Sequence, residues 1–321
     1  TGKGRCNITN DSDVENHLNH VISNPKFMYS AFYSFDSSRM IDFLEQEGLA
    51  VKTERGNRVF PQSDKSSDVL QTLQKALRRR NVTVRLHTKM TGLMIEDHIC
   101  KGVKVQSYHG ALETLTADDV ILTTGGLAYP STGSTGDGHR LLKQAGVALE
   151  PCYPALVPVE TVEEWPIRLQ GLSLRNVSLR VERGSHKIYE EQGEMLFTHF
   201  GVSGPLVLSA SSLLGRKGAK DCKLHIDLKP ALSEEQLDER LQRDFAAQKN
   251  SMFKNSLGKL LPSKLIPVIV ELSEITPDKQ VNEVTRQERH RLVKLCKDLT
   301  CTVKKLRDFP EAIVTGGGIS V

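Results

Sequence analysis

The sequence predicts an α/β fold in which a discontinuous ligand-binding domain is interrupted by a β-rich domain and a helical subdomain. Three observations carry this. Asp119-Val120-Ile121-Leu122-Thr123-Thr124 is an almost unbroken apolar run of the buried parallel-strand kind, and it stops at Gly125-Gly126. Ala312-Ile313-Val314-Thr315 repeats that pattern and runs into Gly316-Gly317-Gly318. Between the two, from Pro151 to about Pro230, six prolines and alternating stretches replace helical periodicity.

Each element follows from local pattern. Met40, Ile41, Phe43 and Leu44 predict a helix over 37–48, with a Ser cap at its start and Gly48 as its left-handed terminator. Extended stretches at 49–53 and 58–60 flank Arg55-Gly56-Asn57, a hairpin-like turn. A helix from about Asp64 to Arg80 carries Val69, Leu70, Leu73 and Leu77 on one face, and Val82-Thr83-Val84-Arg85-Leu86 reads as a strand. Stretches at 91–96, 102–107 and 111–116 form a β-meander. In the β-rich part, Val177-Ser178-Leu179-Arg180-Val181 and Lys223 to Leu228 alternate. The capping box Ser233-Glu234-Glu235-Gln236 then opens amphipathic helices punctuated by Pro262, Pro267 and Pro277. The expected division is a binding domain at 1–150, a β-rich substrate domain at 151–232, a helical subdomain at 233–305 and a return to the binding domain at 306–321.

Composition narrows the class. The 321 residues hold 43 Lys plus Arg against 39 Asp plus Glu, a net charge of +4, too balanced to argue for a polyanionic partner. Arg78, Arg79 and Arg80 end a predicted helix, where cations suit the dipole, so no nucleic acid is expected. No stretch approaches the roughly 20 apolar residues of a membrane span, and the first residues have no signal-peptide core. The six cysteines are scattered, without CxxC or zinc-type spacing, so reduced thiols, no metal and a cytoplasmic location are expected.

The functional signal lies in three glycine-bearing segments: Gly2-Lys3-Gly4-Arg5-Cys6-Asn7, Thr123 to Gly126 with Pro130 to Gly138, and Thr315 to Gly318. Glycine lets a backbone approach a ligand and presents unobstructed N–H donors to anionic oxygens. Each segment alone reads as a tight turn; three together point to a dinucleotide at the ends of parallel strands. GxxxxGK[ST] and GxGxxG are both absent, which argues against a nucleotide triphosphatase and leaves two readings: the protein does not bind a dinucleotide, or its first βαβ unit lies upstream of this sequence.

The strings GKGRCNITN, GNRVFPQSDKSSDVL, ILTTGGLAYPSTGSTGDGHRLLKQAG, PALVPVE, LFTHFGVSGPLVLS, LPSKL and AIVTGGGISV, in this order, resemble the BaiN/YhiN-like family of FAD-dependent oxidoreductases, which includes proteins named aminoacetone oxidases. The resemblance spans essentially the whole chain. It implies a Rossmann-like, two-dinucleotide-binding flavoprotein domain, with Gly4, Arg5, Cys6 and Asn7 beside the flavin. Thr124, Gly125 and Gly126 would line the dinucleotide, the backbone near Met90 would reach the adenine, and Gly316, Gly317 and Gly318 would return to the same domain. Family members carry a strand, a GxGxxG loop and a helix before the GRCN segment, so this sequence is expected to be the interior of a longer chain.

A flavin performs hydride transfer itself, so catalytic side chains can be few. His199, on a turn in Phe197-Thr198-His199-Phe200-Gly201, is the candidate general acid, and Tyr129 a candidate stacking or hydroxyl-donating residue. Both also have ordinary structural readings. Cys6 has no second cysteine nearby for a redox pair; Arg5 could neutralise the flavin or a substrate carboxylate. Arg168 and Arg175 read as surface cations, and Asp137 and His139 as the cap and start of a helix. The expected function is hydride transfer between FAD and a small organic substrate with NAD(P)H as donor. The alternatives are an oxygen-using oxidase of a small amine or ketone, and a non-catalytic flavin- or nucleotide-binding module or inactive fragment.

Overall fold

The computed structural model describes residues 4–321, which divide into a first unit, residues 4–120 with Val321, and a second, residues 121–320. Gly2 and Lys3 of the first glycine segment lie outside the described residues.

In the first unit, α1 (Val14–Asn19), α2 (Pro25–Ser34) and α3 (Ser37–Gln46) lie between the first and second strands of a small antiparallel sheet of β1 (Thr9–Asn10), β2 (Val51–Glu54) and β3 (Arg58–Pro61). The predicted hairpin is formed, and its loop needs the positive φ of Gly56 (78°) and Asn57 (56°). The cap of α3 is Asp36, whose carboxylate accepts from the Arg39 N–H, rather than a serine; Gly48 terminates the turn at φ 89°. The helix α4 (Ser66–Arg79) buries Val69, Thr72 and Ala76, leaving Leu70, Leu73 and Leu77 exposed. Its buried stripe is thus rotated by one residue, about 100°, from the one the leucines predict. The meander is present as β4 (Thr88–Glu96), β5 (Ile99–Ser107) and β6 (Leu112–Thr116).

Two predicted strands do not form. Val82–Leu86 and residues 119–124 are irregular, with Leu86 73% and Ile121 85% exposed. An apolar run becomes a strand only where a neighbour takes up its backbone hydrogen bonds, and among the described residues none lies alongside. Every ladder among the described residues is antiparallel.

The second unit is built round a closed six-stranded barrel. Its strands are β8 (Val159–Thr161), β9 (Ser173–Arg183), β10 (His186–Thr198), β11 (Gly201–Ser203), β12 (Cys222–Asp227) and β13 (Leu299–Leu306), in the order β10-β11-β8-β13-β12-β9. Alternation fills it: Val177, Leu179 and Val181 on β9 and Cys222, Leu224 and Ile226 on β12 are buried while their neighbours face outward. All of β13 but its last residue falls in the stretch 233–305 read as helical, yet the strand closes the barrel, pairing with β12 and β8. The helices α8 (Glu234–Ala246), α9 (Ile266–Leu272) and α10 (Arg286–Lys297) join the same core through Leu237, Leu241, Ile269 and Leu292. The predicted capping box on α8 is present, and Thr285 with Glu288 forms a second on α10.

Outside the barrel, β7 (Leu149–Ala155) pairs antiparallel with β14 (Val314–Ile319). The run into Gly316–Gly318 is therefore a strand that continues through its glycines, with a bulge between Gly316 and Gly318, and Val314 is exposed rather than buried. The helix α7 (Pro205–Lys217) packs on both β7 and β14. Among the described residues, no helix is long and apolar enough to cross a membrane.

Candidate functional site

Two of the three glycine segments meet within the second unit. Gly125, Gly126, Ala128, Ser134 and His139 on one side, and Ile313, Val314, Thr315 and Gly317 on the other, line a cleft of about 400 Å³. Thr315 holds the walls together: its hydroxyl oxygen accepts from the N–H groups of Leu127 (2.8 Å) and Ala128 (2.9 Å). This approach demands glycine, because a Cβ at Gly126 would stand 2.5 Å from Thr315 Oγ1. At Gly317, φ is 78° and a Cβ would stand 2.2 Å from the Pro151 carbonyl oxygen. Gly316 serves packing: its missing Cβ makes room for the Tyr153 ring, which is also accommodated by Gly215 of α7.

The helix α5 (Asp137–Gln144) begins beside the cleft. Gly136, at φ 78°, occupies the cap position and Asp137 is the first helical residue, so Asp137 is not the cap. Thr124 backs this start, since a Cβ on Gly138 would stand 2.2 Å from its Oγ1. His139 projects toward Gly318, whose added Cβ would be 3.4 Å from Nε2, and its Nδ1 is 3.7 Å from Cys152 Sγ. This histidine was missed as a site residue because its position at a helix start has an ordinary explanation. The available signal was a histidine directly after the STGSTGDG string.

The candidate acids lie elsewhere in this unit. Tyr129, at φ 54° and 56% exposed, donates its backbone N–H to the Phe309 carbonyl (3.0 Å). His199 and Phe200 form the two-residue turn between β10 and β11 at the barrel rim. The turn is fixed by Gly201, where a Cβ would stand 2.4 Å from the Val159 carbonyl oxygen, and by the Arg307 guanidinium 4.7 Å over the Phe200 ring. Arg307 is itself held by Glu160 (2.5 Å) and Glu311 (2.5 Å). Burial pushes the Glu160 carboxyl upward, but hydrogen bonds from Arg307 and Lys305 outweigh it and hold the group below the ordinary carboxylate range. His199 is exposed, its ring edge-on to Phe200 at 4.7 Å.

In the first unit, Gly4 (φ 91°) and Cys6 (φ 63°) turn the chain, and Cys6 packs beside Leu44, Leu49 and Val69. The Asn7 side-chain amide lies against the Thr9 and Val59 carbonyls. Arg5 is internally satisfied: it pairs with Glu54 (2.5 Å) and Asp64 (2.5 Å) and lies 4.2 Å over Phe60. Met90 is half-buried on β4, opposite Val105. Arg168 is paired with Glu271 (2.7 Å) on the surface, as a surface cation would be.

Residues 153–314, half of the chain, match the family described as the HI0933-like protein barrel and H2TH domain. The chain belongs to the HI0933-like family. The match covers the six-stranded barrel and the helices between β12 and β13. Similar curated proteins include a 3-dehydro-bile acid delta(4,6)-reductase of Clostridium scindens, 28% identical over 99% of this chain and 76% of the relative. Two are ribosomal RNA dihydrouridine synthases: that of Escherichia coli is 27% identical over 99% of this chain and 75% of the relative, and that of Haemophilus influenzae 24% over 99% and 76%. The HI0933-like family is one of flavin-dependent oxidoreductases, and this member is an enzyme of that class.

The relatives correct one expectation. Two of them are named for ribosomal RNA, so the exclusion of nucleic acid does not stand. It rested on net charge and on reading Arg78, Arg79 and Arg80 as a helix end; both gauge attraction to phosphates and say nothing of recognition of a single base.

Proposed function

We propose that this protein reduces a carbon–carbon double bond conjugated to a carbonyl, using FAD and a nicotinamide donor. The observation that carries the reading is the convergence of Gly125–Gly126 and Thr315–Gly317 on one cleft lined by glycine backbone, the Ser134 and Thr315 hydroxyls, the His139 imidazole and the apolar Ala128, Ile313 and Val314, with no carboxylate. Such a lining suits an anionic dinucleotide. The names of the relatives supply the substrate class: a delta(4,6)-reductase of a 3-dehydro steroid and a dihydrouridine synthase both saturate a carbon–carbon bond in conjugation with a carbonyl.

In this reading Thr124, Gly125, Gly126, Gly317 and Gly318 hold the dinucleotide, Gly316 keeps β14 against Tyr153, and the backbone of Gly4 to Asn7 and of Met90 belongs to the same Rossmann-like domain. The division is a binding domain at 1–150 and 306–321, with the barrel supplying substrate-pocket walls and the helices 233–305 a cap. FAD, when bound, supplies the hydride. The barrel rim supplies the proton: His199, on a turn locked by Gly201 and Arg307, delivers it to the substrate carbon or carbonyl oxygen, and Tyr129 offers a hydroxyl from the loop tied to Phe309.

Anaerobic rapid mixing of the FAD-loaded full-length protein with NADH or NADPH tests this. Loss of the flavin's visible absorbance, followed by its return on adding a steroid enone or a uridine-containing RNA, is the expected result. Bleaching by a small amine or ketone and recovery with oxygen alone would replace the reductase by an oxidase.

A further inference from the structure

The balanced charge of the whole chain conceals a local excess. The stretch Arg216-Lys217-Gly218-Ala219-Lys220-Asp221-Cys222-Lys223 holds four cations and one acid, in a chain whose total excess of cations is four. It runs from the end of α7 into β12, and Arg216, Lys217, Lys220 and Lys223 are all exposed. Lys223 stands opposite Thr302 in the β12–β13 ladder, and Lys304, two residues beyond Thr302, is exposed as well. The helix dipole accounts for part of this: Arg216 and Lys217 lie in the last turn of α7, but Lys220, Lys223 and Lys304 lie beyond it. The carbonyls at that helix end are answered from within, because the Arg183 guanidinium of β9 donates to those of Lys217 (3.0 Å) and Gly218 and so holds the loop in place. Nearby carboxylates are engaged elsewhere. Glu182, opposite Lys223 on β9, pairs with Arg180 (2.9 Å) and His225 (3.6 Å), and Glu163 accepts from the Thr302 N–H (2.7 Å) and hydroxyl (2.8 Å). Among the described residues, Lys217, Lys220, Lys223 and Lys304 form no ion pair. Exposed like charges held close together repel, and a polyanion laid across them relieves that repulsion.

We propose that this end of the barrel, from Arg216 to Lys223 with Lys304, docks the phosphate backbone of an RNA substrate. The proposal rests on the reading of the protein as a reductase, and takes its substrate base to be part of an RNA, as the names of two relatives suggest. An RNA is held chiefly through its phosphates, while the reacting base is recognised elsewhere. The glycine-lined cleft has no lysine or arginine in its lining, so that hold must come from another surface of the protein.

The test is the binding of a fluorescein-labelled, uridine-containing stem-loop RNA to the FAD-loaded full-length protein, followed by anisotropy from about 50 to about 200 mM salt. Wild type is compared with two triple variants. One combines Lys217→Gln, Lys220→Gln and Lys223→Gln and removes charge; the other combines Lys217→Arg, Lys220→Arg and Lys223→Arg and keeps it. The side chains are exposed, so both variants are expected to melt as the wild type does. The glutamine variant should bind about tenfold more weakly or worse at low salt, with the slope of log affinity against log salt reduced by about two. The arginine variant should bind as the wild type does, and turnover of a steroid enone should be the same in all three proteins. Equal RNA affinity of the glutamine variant and the wild type, or an equal loss in the arginine variant, overturns the proposal. A wild type that reduces the enone but binds no RNA overturns it too, and leaves the reductase reading standing. If no nicotinamide donor reduces the flavin while RNA binding shows the expected losses, the reductase reading falls and the docking surface stands.

Discussion

Arg5 in the first unit and the Gly125–Gly317 cleft in the second come from segments of the same glycine-bearing kind, but they deploy their polar groups in opposite ways. Around Arg5, every charge has an internal answer: the guanidinium takes Glu54 and Asp64, Lys52 takes Asp64 at 2.6 Å, and Phe60 covers the face of the cation. Around the cleft no carboxylate, lysine or arginine stands in the walls, and backbone and hydroxyl groups meet across it. The first arrangement consumes its donors in holding a loop; the second leaves them at a cavity. Glycine spacing alone does not separate the two cases, because what differs is whether carboxylates lie within reach of the neighbouring side chains.

The largest effect should come from filling the cleft wall. Gly126→Val puts methyl groups where Thr315 stands, and a destabilisation of about 1–3 kcal/mol with at least tenfold weaker FAD binding is expected. Thermal melts and flavin titration would register both. Gly317→Ala should act likewise, since its backbone is left-handed and its Cβ meets a carbonyl oxygen that cannot rotate away. A smaller loss follows from Thr315→Val, which keeps shape but leaves the Leu127 and Ala128 N–H groups without their acceptor. About 1 kcal/mol in a denaturant titration is expected, the groups being only part-buried.

The Arg5 cluster gives the smallest effect, and a pH-dependent one. Hydrogen bonds from Arg5 hold Glu54 below the ordinary carboxylate range, and those from Lys52 and Arg5 do the same for Asp64. Groups with lowered pKa stabilise the fold above their ordinary values and lose that contribution as pH falls through the lowered ones. Melting temperatures of wild type and Arg5→Met should therefore differ at neutral pH and draw together as pH falls below the ordinary carboxylate range of about 4. A gap that stayed constant with pH would mean that stacking on Phe60, not charge, is what Arg5 provides.

The same division runs through what the sequence revealed of the fold. Val177, Leu179 and Val181 could be read as strand because alternation is local and the barrel supplies their neighbours. Val82–Leu86 and residues 119–124 carried an equally strong apolar signal without such neighbours, and pattern alone contains no record of the partner. The role of β13 was hidden for the converse reason: its partners Leu224 and Thr161 are more than 70 residues away, and a strand following a helical stretch gives no sign of closing a barrel. In the site, the echo between Thr124–Gly126 and Thr315–Gly318 foretold their meeting. The His139–Cys152 contact was invisible, since each residue has a commonplace role and only the return of the chain at Gly146 joins them.

The central claim is that the cleft between Gly125–Gly126 and Thr315–Gly317 holds the flavin dinucleotide. Titrating FAD into the full-length protein and into its Gly126→Val variant, followed by flavin fluorescence, tests it most directly. Saturable binding of one equivalent to the wild type, at least tenfold weaker in the variant while its melt still shows a folded barrel, is the predicted result. Equal affinity in the two proteins would contradict it and place the flavin elsewhere.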